Sequence, residues 1–144
     1  MARTETKGVP VRVNPEKLAG KGLDEFPPFP NPPAGSHGHA LAGADVPTRV
    51  SAEFDGDVVV QVAEIAGPRK NQVVSVSYDE FIHILEGGLI LTNEEGVAHE
   101  FGPGDSLVIP KGFTGTWENT GDVFRELIVI ETKTWEEDMQ RLME

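Results

Sequence analysis

Glu80 is the residue of this sequence best suited to do chemistry, because its carboxyl group begins a largely apolar segment, 80–85. A carboxylate that is buried without a partner is costly, so either its pKa rises or it acquires a partner. If its strand turns Glu80 toward an apolar interior, the residue is predicted to act as a general acid or base, or as a lone metal ligand. The alternative is a structural carboxylate that bonds to Tyr78 or to an arginine such as Arg125.

Two further polar residues near Glu80 are candidates for the same site. Tyr78 lies two positions earlier, and its hydroxyl group can donate a hydrogen bond to Glu80 and assist it. His83 is a candidate for contact with a ligand, but three residues of extended strand place it on the face opposite Glu80 unless the strand carries a bulge.

Two aromatic residues, Phe113 and Trp117, have the parity of inward-facing positions in a later strand. They either shape the cavity and contact a ligand or simply pack in the core. We predict them as ligand-contacting residues and keep core packing as the alternative.

Other chemistry-bearing patterns carry less weight. His37 and His39 form an H-x-H in a loop, where a metal site would need a third ligand such as His99, so chance is the better explanation. Lys111 is interpreted as a solvated lysine. The chain has no cysteine, no G-x-S-x-G and no phosphate-binding glycine loop, which excludes disulfides, thiolate metal sites and the corresponding enzyme classes.

Length and charge limit the function classes further. The 144 residues correspond to one domain, and the net charge of −12 argues against a nucleic-acid partner. We expect no signal peptide, because no charged segment followed by an apolar one begins the chain. No apolar run has the length of a membrane span, so we predict a cytoplasmic protein without a membrane partner.

The elements that must position these residues are strands, because short apolar runs alternate with turns rich in Gly and Pro. Eight or nine short strands at regular spacing indicate an all-β sandwich or barrel. The predicted strands are 50–54, 58–66, 73–77, 80–85, 89–92, 97–101, 106–109, 113–118 and 123–131.

Three regions are predicted along the chain: an extended arm rich in Pro and Gly (1–47), a β-barrel (48–132) and a C-terminal helix (133–144). Phe26 and Phe29 are the expected anchors of the arm on the barrel surface.

In the predicted helix, Thr134 and Glu137 have the spacing of a capping box. Trp135, Met139 and Leu142 share one face of the helix, which we expect to dock on the barrel.

A motif in the second half resembles the second conserved motif of the cupin superfamily, G-x5-P-x-G-x2-H-x3-N. Gly104, Pro110, Gly112 and Asn119 occupy its positions, and Gly115 stands where the family has a metal-binding histidine. The segment that begins at Glu80 and ends at Gly87 is similar to the end of the first cupin motif, and Glu80 matches the metal-binding glutamate of that motif.

Counting back from Glu80, the two remaining histidines of the first motif correspond to Val74 and Val76. The resemblance therefore implies a barrel in which one of four usual metal ligands remains. We expect Val74 and Val76 to line the pocket together with Phe113 and Trp117, and we expect no cofactor. A divalent metal held by Glu80 with unusual ligands such as His83 stays an alternative.

The residues around Glu80 and Gly115 resemble those of the cupin subfamily that contains (S)-ureidoglycine aminohydrolase and ethanolamine-utilization protein Q. This resemblance implies a single cupin barrel of the RmlC-like jelly-roll type with the arm and helix added. Three functions follow as hypotheses: an enzyme for a small polar metabolite (a lyase, isomerase or hydrolase with Glu80 as acid or base), a non-catalytic binding cupin, or a metal-binding cupin. We also expect a homodimer, in which the arm lies along the sheet edge of a neighbour.

Overall fold

The computed structural model describes residues 3–27 and 31–143, with side chains up to Arg141. Phe29 therefore lies outside the described residues, as does the side chain of Leu142. Among the described helices, none is long and apolar enough to cross a bilayer.

Nine strands and two helices make up the described fold. The strands are β1 (Asp24–Phe26), β2 (Ala40–Ala42), β3 (Thr48–Asp55), β4 (Val58–Ile65), β5 (Arg69–Val73), β6 (Glu80–Asn93), β7 (Ala98–Phe101), β8 (Ser106–Ile109) and β9 (Gly115–Glu131). The helices are α1 (Pro15–Leu18) and α2 (Thr132–Met143).

The long strands β6 and β9 pair with each other over most of their lengths and connect two halves of one curled antiparallel sheet. In one half, β8 pairs with the start of β6, while β4, β3 and β1 extend outward from the end of β9. In the other half, β7 pairs with the end of β6, while β5 and β2 extend outward from the start of β9. The two halves enclose a jelly-roll barrel, as the sequence predicted.

The bend between the halves occurs where the register of β6 shifts, between Ile84 and Gly88. Gly87 lies there with φ of 78°, and a Cβ on it would be 2.4 Å from the carbonyl oxygen of Val123. Only glycine allows both this conformation and this close approach of the two strands. The bend lets the inner faces of both halves meet.

The core consists of alternate residues from both halves, which is the pattern of strands with one buried face. Its fully buried members include Ile82, Ile84 and Leu89 of β6 and Phe124 of β9. On β6, Glu80 has the same parity as these isoleucines, so the strand directs it inward.

Helix α2 packs on the inner face of the first half through Trp135, which contacts Val59, Ile128 and Ile130. The helix begins at Thr132, whose hydroxyl group donates to the carbonyl of Gly56 (2.6 Å). Packing of Trp135 and Met139 confirms the predicted docking face.

The predicted capping box is wrong, because Thr134 lies within the first turn of α2 and not before it. Its hydroxyl group bonds to the carboxylate of Glu131 instead of pairing with Glu137.

The N-terminal arm is more regular than predicted. Asn14 caps α1 by accepting a hydrogen bond from the amide of Glu16 (2.9 Å), and Pro15 follows as the first helical residue. Strands β1 and β2 add to the edges of the sheet by pairing with β3 and β5 of the same chain. Phe26 lies in β1 opposite Thr48.

A network of charged residues on the outer face connects the arm to the barrel. Glu64 pairs with Arg49 and with Arg125 (3.0 Å), and Arg125 also pairs with Glu86 (2.7 Å) and donates to the carbonyl of Leu18. Burial alone would raise the pKa of Glu64, but the two arginines lower it overall. Arg125 lies on the outer face, whereas Glu80 points to the inner face. The predicted alternative in which Arg125 bonds to Glu80 is therefore not the observed arrangement.

The predicted strand 73–77 is wrong beyond Val73, although its alternation of Val and Ser has a period of two. Ser75 adopts a φ of 44°, which is left-handed and incompatible with a strand. The amides of Val74 and Ser75 bond to the side chains of His37 and Thr114 and not to a neighbouring strand. Two other predicted pairs of strands, 80–85 with 89–92 and 113–118 with 123–131, are each one continuous strand.

Substitution of Gly87 by alanine should destabilise the fold by about 2 kcal/mol more than the same change at Gly104. Both residues have positive φ, which costs an alanine about 1–2 kcal/mol, but a Cβ at Gly104 would have no atom within 4 Å. The additional loss at Gly87 comes from collision with Val123. Urea denaturation of both variants measures it, and equal losses would contradict this account of the bend.

Candidate functional site

A cavity of about 260 Å³ opens between the two halves of the barrel, in the region the sequence predicted to be the pocket. Its walls come from β4, β5, β6, β9, the segment 76–78 and the loop that holds His37. Its size is slightly below the range typical of pockets for drug-sized molecules, so it suits a small metabolite.

Two carboxyl groups line this cavity, those of Glu80 and Glu126. Glu80 is the first residue of β6, and Glu126 lies on β9 opposite Ile84. Four strand positions therefore separate their backbones, a distance of roughly 13 Å along the strands. Both side chains line one ligand space, and they are close enough for the charge of Glu80 to act on Glu126.

Neither carboxyl group has a hydrogen bond or an ion pair with any described residue. Glu126 is 4% exposed, with no arginine or lysine near it on the inner face. Glu80 is less enclosed, and its remaining surface faces the cavity. Such unpaired acidic groups are uncommon in protein interiors, which makes this cavity the candidate site.

The pKa values of both groups are raised. Burial, and then the nearby charge of Asp138, raise the pKa of Glu80 to about 7. Burial, and then the charge of Glu80, raise the pKa of Glu126 well above its usual range. Near neutral pH, Glu80 is therefore partly protonated and Glu126 tends to keep its proton.

Helix α2 contributes Asp138, which is 4% exposed and lies close enough to affect both Glu80 and Tyr78. One of its oxygens pairs with Arg141, which reaches in from solvent. The other lies 3.9 Å from Nε2 of His37. The helix and the arm thus meet over the end of the cavity where Glu80 lies.

Tyr78 lines the cavity, as predicted, but within the described residues its hydroxyl group makes no hydrogen bond to Glu80. Its pKa is raised, first by burial and then by the charges of Glu80 and Asp138. Tyr78 is therefore neutral and can donate to a ligand.

Phe113 and Trp117 also line the cavity, in agreement with the predicted placement. The indole of Trp117 packs edge-on against Phe124, with ring centres 5.5 Å apart and an angle of 88°. These rings contribute to the core and to the cavity wall at once.

The remaining predicted contacts divide between the inside and the outside of the barrel. Val76 is buried and lines the cavity. Val74 is 37% exposed and lies outside it, because the chain leaves the sheet after Val73, which takes the inward position. His83 is on the outer face, where Nδ1 lies 2.8 Å from the hydroxyl oxygen of Ser106. The structure thus places Val74 and His83 outside the cavity.

The metal centre usual in cupins does not fit these residues. Among the described residues, no three side chains of His, Asp or Glu are arranged to hold one metal ion. The absence of a histidine at position 115 has a structural cause. A Cβ on Gly115 would lie 1.9 Å from the carbonyl oxygen of Thr92, so no histidine fits without movement of the strands. The glycine is required by this close contact between strands.

Sequence reasoning missed three residues of the site. Glu126 could have been found, because it interrupts the apolar positions Phe124 and Ile128 of one strand face. Asp138 lies on the docking face of α2 in the same way. His37 was set aside as part of a loop H-x-H, since only pairing of the arm with β5 brings its loop to the cavity.

A second cavity, of about 330 Å³, adjoins the first and shares Thr48, Ala63 and Ile65 with it. It lies between β3, β4 and α2 and is lined mostly by apolar side chains. Its position makes it an extension of the same interior space.

The fold is that of a cupin. Residues 54–125 match the EutQ-like cupin domain, and the chain belongs to this family. No curated protein matches the sequence.

Solved structures are similar in fold. A protein assigned as ethanolamine utilization protein Q from Salmonella typhimurium LT2 is 21% identical over 60% of this chain and 70% of its own, with a TM-score of 0.50. The polyketide cyclase RemF from Streptomyces resistomycificus is 19% identical over 77% and 75%, with a TM-score of 0.55. A protein of unknown function from Pseudomonas syringae is 17% identical over 75% and 43%, with a TM-score of 0.58.

Replacement of Glu80 by glutamine should stabilise the protein at pH 8 by about 1–3 kcal/mol more than at pH 5. The folded protein holds this proton up to about pH 7, whereas the unfolded chain loses it near 4.5. The contribution of Glu80 to the free energy of unfolding therefore falls between these two values and stays low above them.

Urea denaturation at pH 5, 6, 7 and 8 measures this effect, with Glu100→Gln as the matched control on the exposed face of β7. An equal change at all four pH values would contradict the raised pKa.

Proposed function

We propose that this protein is an enzyme that transfers protons on a small metabolite, with Glu80 as the principal acid or base. The observation that carries the proposal is the pair of unpartnered carboxyl groups, Glu80 and Glu126, that line one small cavity. A general acid or base works best when its pKa is close to the working pH, and the pKa of Glu80 is about 7.

The pKa of Glu80 favours particular reactions. Glu80 can remove a proton at one atom of a ligand and deliver it at another, as an isomerisation requires, or remove the proton in an elimination. Hydrolysis is compatible with the same group. Tyr78 would donate a hydrogen bond to the substrate near Glu80, and Trp117 and Phe113 would shape the cavity around it.

A binding cupin without catalysis is the second candidate. An enclosed cavity, aromatic walls and the acidic groups Glu80 and Glu126 would serve the recognition of a ligand equally well. The proposed enzyme differs from it in one respect, because catalysis requires a proton to leave or reach Glu80.

Hydrogen exchange distinguishes these two functions. We expect that incubation of the protein with a panel of small metabolites in D₂O, followed by NMR, reveals deuterium incorporation into a substrate. Glu80→Gln should slow this exchange by about 10²–10⁴-fold, since the amide cannot transfer the proton. The rate should also show an inflection near pH 7 that the variant lacks.

Glu100→Gln, which changes the charge equally on an exposed strand, should leave the exchange rate unaltered. Exchange or turnover at full rate in folded Glu80→Gln would contradict the assignment of Glu80. Ligand binding without exchange or turnover of any ligand would favour the non-catalytic function.

A further inference from the structure

We propose that the cavity recognises a small organic cation, a substrate or ligand with an ammonium or amidinium group, and that Glu126 is its anchor. The inference rests on the proposed function in that it assigns the substrate class of the same site. It gives Glu126 a role separate from proton transfer by Glu80.

Glu126 is the strongest evidence for this ligand. Its carboxyl group is almost wholly buried, lines the cavity and has no hydrogen-bond or ion-pair partner among the described residues. Its strand neighbours are Ala63 on β4 and Ile84 on β6, so the sheet around it offers no compensating side chain. A buried acidic group of this kind is stabilised when a bound ligand supplies a positive charge and a hydrogen-bond donor.

The acidic groups at this cavity favour a cation. Glu80 lines it together with Glu126, and Asp138 of α2 lies close enough to Glu80 to act on it. No lysine or arginine is among the described residues that line the cavity. Arg141 pairs with Asp138 from outside and His37 approaches it, which leaves Glu80 and Glu126 without a cationic partner. These acidic groups would repel an anionic ligand.

The geometry favours an organic cation over a metal ion. The two glutamates begin four strand positions apart, and no three potential ligands among the described residues converge on one point. A metal ion held by protein side chains needs about three such ligands, whereas one carboxylate can hold an ammonium or amidinium group. A volume of about 260 Å³ also accommodates several heavy atoms.

Aromatic side chains complete the environment that organic cations prefer. Trp117, Phe113 and Tyr78 all line the cavity, and Trp117 packs against Phe124, the next inward residue before Glu126 on β9. Aromatic faces attract ammonium groups, and the attraction is larger where water is excluded.

Cation binding would also prepare the site for proton transfer. A positive charge near Glu126 and Glu80 favours the ionised carboxylates, so that binding releases protons and leaves Glu80 as a base. The groups that face this pair are Tyr78, Asp138 and His37, with Arg141 behind Asp138. Affinity for an ammonium ligand should consequently rise about tenfold or more from pH 6 to pH 8. The pKa of Glu80 is about 7, so its ionised fraction rises tenfold over this range.

The test uses small probes in matched sets of amine, alcohol and carboxylic acid on the same carbon skeleton, beginning with butylamine, 1-butanol and butyric acid. Binding to the full chain is followed by tryptophan fluorescence, to which Trp117 contributes, and by calorimetry in buffers of different ionisation enthalpy. We expect amines to bind at least tenfold more tightly than their alcohols, with release of protons, and we expect no binding of the acids. Preferential binding of alcohols or acids, or no binding of any amine in the panel, would overturn the proposal.

Glu126→Gln tests the anchor itself. This variant keeps the shape of the side chain and should lower the affinity for amines by at least tenfold while leaving the weaker binding of alcohols unchanged. Glu100→Gln is the control with the same change in net charge on an exposed strand. Thermal melting verifies that Glu126→Gln is folded, and removal of a buried acidic group should leave it at least as stable at pH 8. Unchanged affinity for amines in the folded variant would contradict the role of Glu126.

The two proposals fail in different ways. Amine binding that depends on Glu126, without proton exchange in any bound amine, would support the cation site and contradict the catalytic function. Turnover that depends on Glu80, with a neutral or anionic substrate and no binding of amines, would support the catalytic function and overturn the cation site.

Discussion

The pairing of β6 with β9 is the constraint on which the rest of the structure depends. Each strand is long enough to belong to both halves of the barrel, and every other strand attaches directly or indirectly to one of them. The same register places Glu80 and Glu126 on one inner face, four positions apart. Fold and candidate chemistry therefore have a common origin in the parity of two strands.

The inner and outer faces treat acidic residues in opposite ways. On the outer face, Glu64 is buried between Arg49 and Arg125, and its pKa is lowered. On the inner face, Glu80 and Glu126 have no such partners, and their pKa values are raised. The first arrangement attaches the arm to the barrel. In the second, burial of an ionised carboxylate is unfavourable, and a bound ligand or a proton can remove this cost. This contrast distinguishes a structural acidic group from a candidate functional one.

Some features could be predicted because they depend on local pattern. Turn spacing and alternation indicated a barrel of eight or nine strands, and Trp135 and Met139 identified the docking face of α2. Other predictions were wrong where the local pattern was ambiguous. The Val and Ser alternation at 73–77 resembles a strand, yet the left-handed conformation of Ser75 ends it and turns Val74 outward. In the arm, the pairings of β1 and β2 involve partners distant in sequence, which no local pattern specifies.

By itself, the sequence determined the class of fold, the inward parity of Glu80 and the loss of three histidines expected of a cupin metal centre. Motif spacing carries this information, since it reflects turn geometry and the two-residue period of strands. Only the tertiary structure decided which groups lie near Glu80. Glu126, Asp138 and His37 arrive from a strand, a helix and a loop that are far apart in the chain, and long-range pairing alone brings them together. It also decided that Gly115 is required by the close approach of Thr92, so that the missing histidine reflects strand packing as well as chemistry.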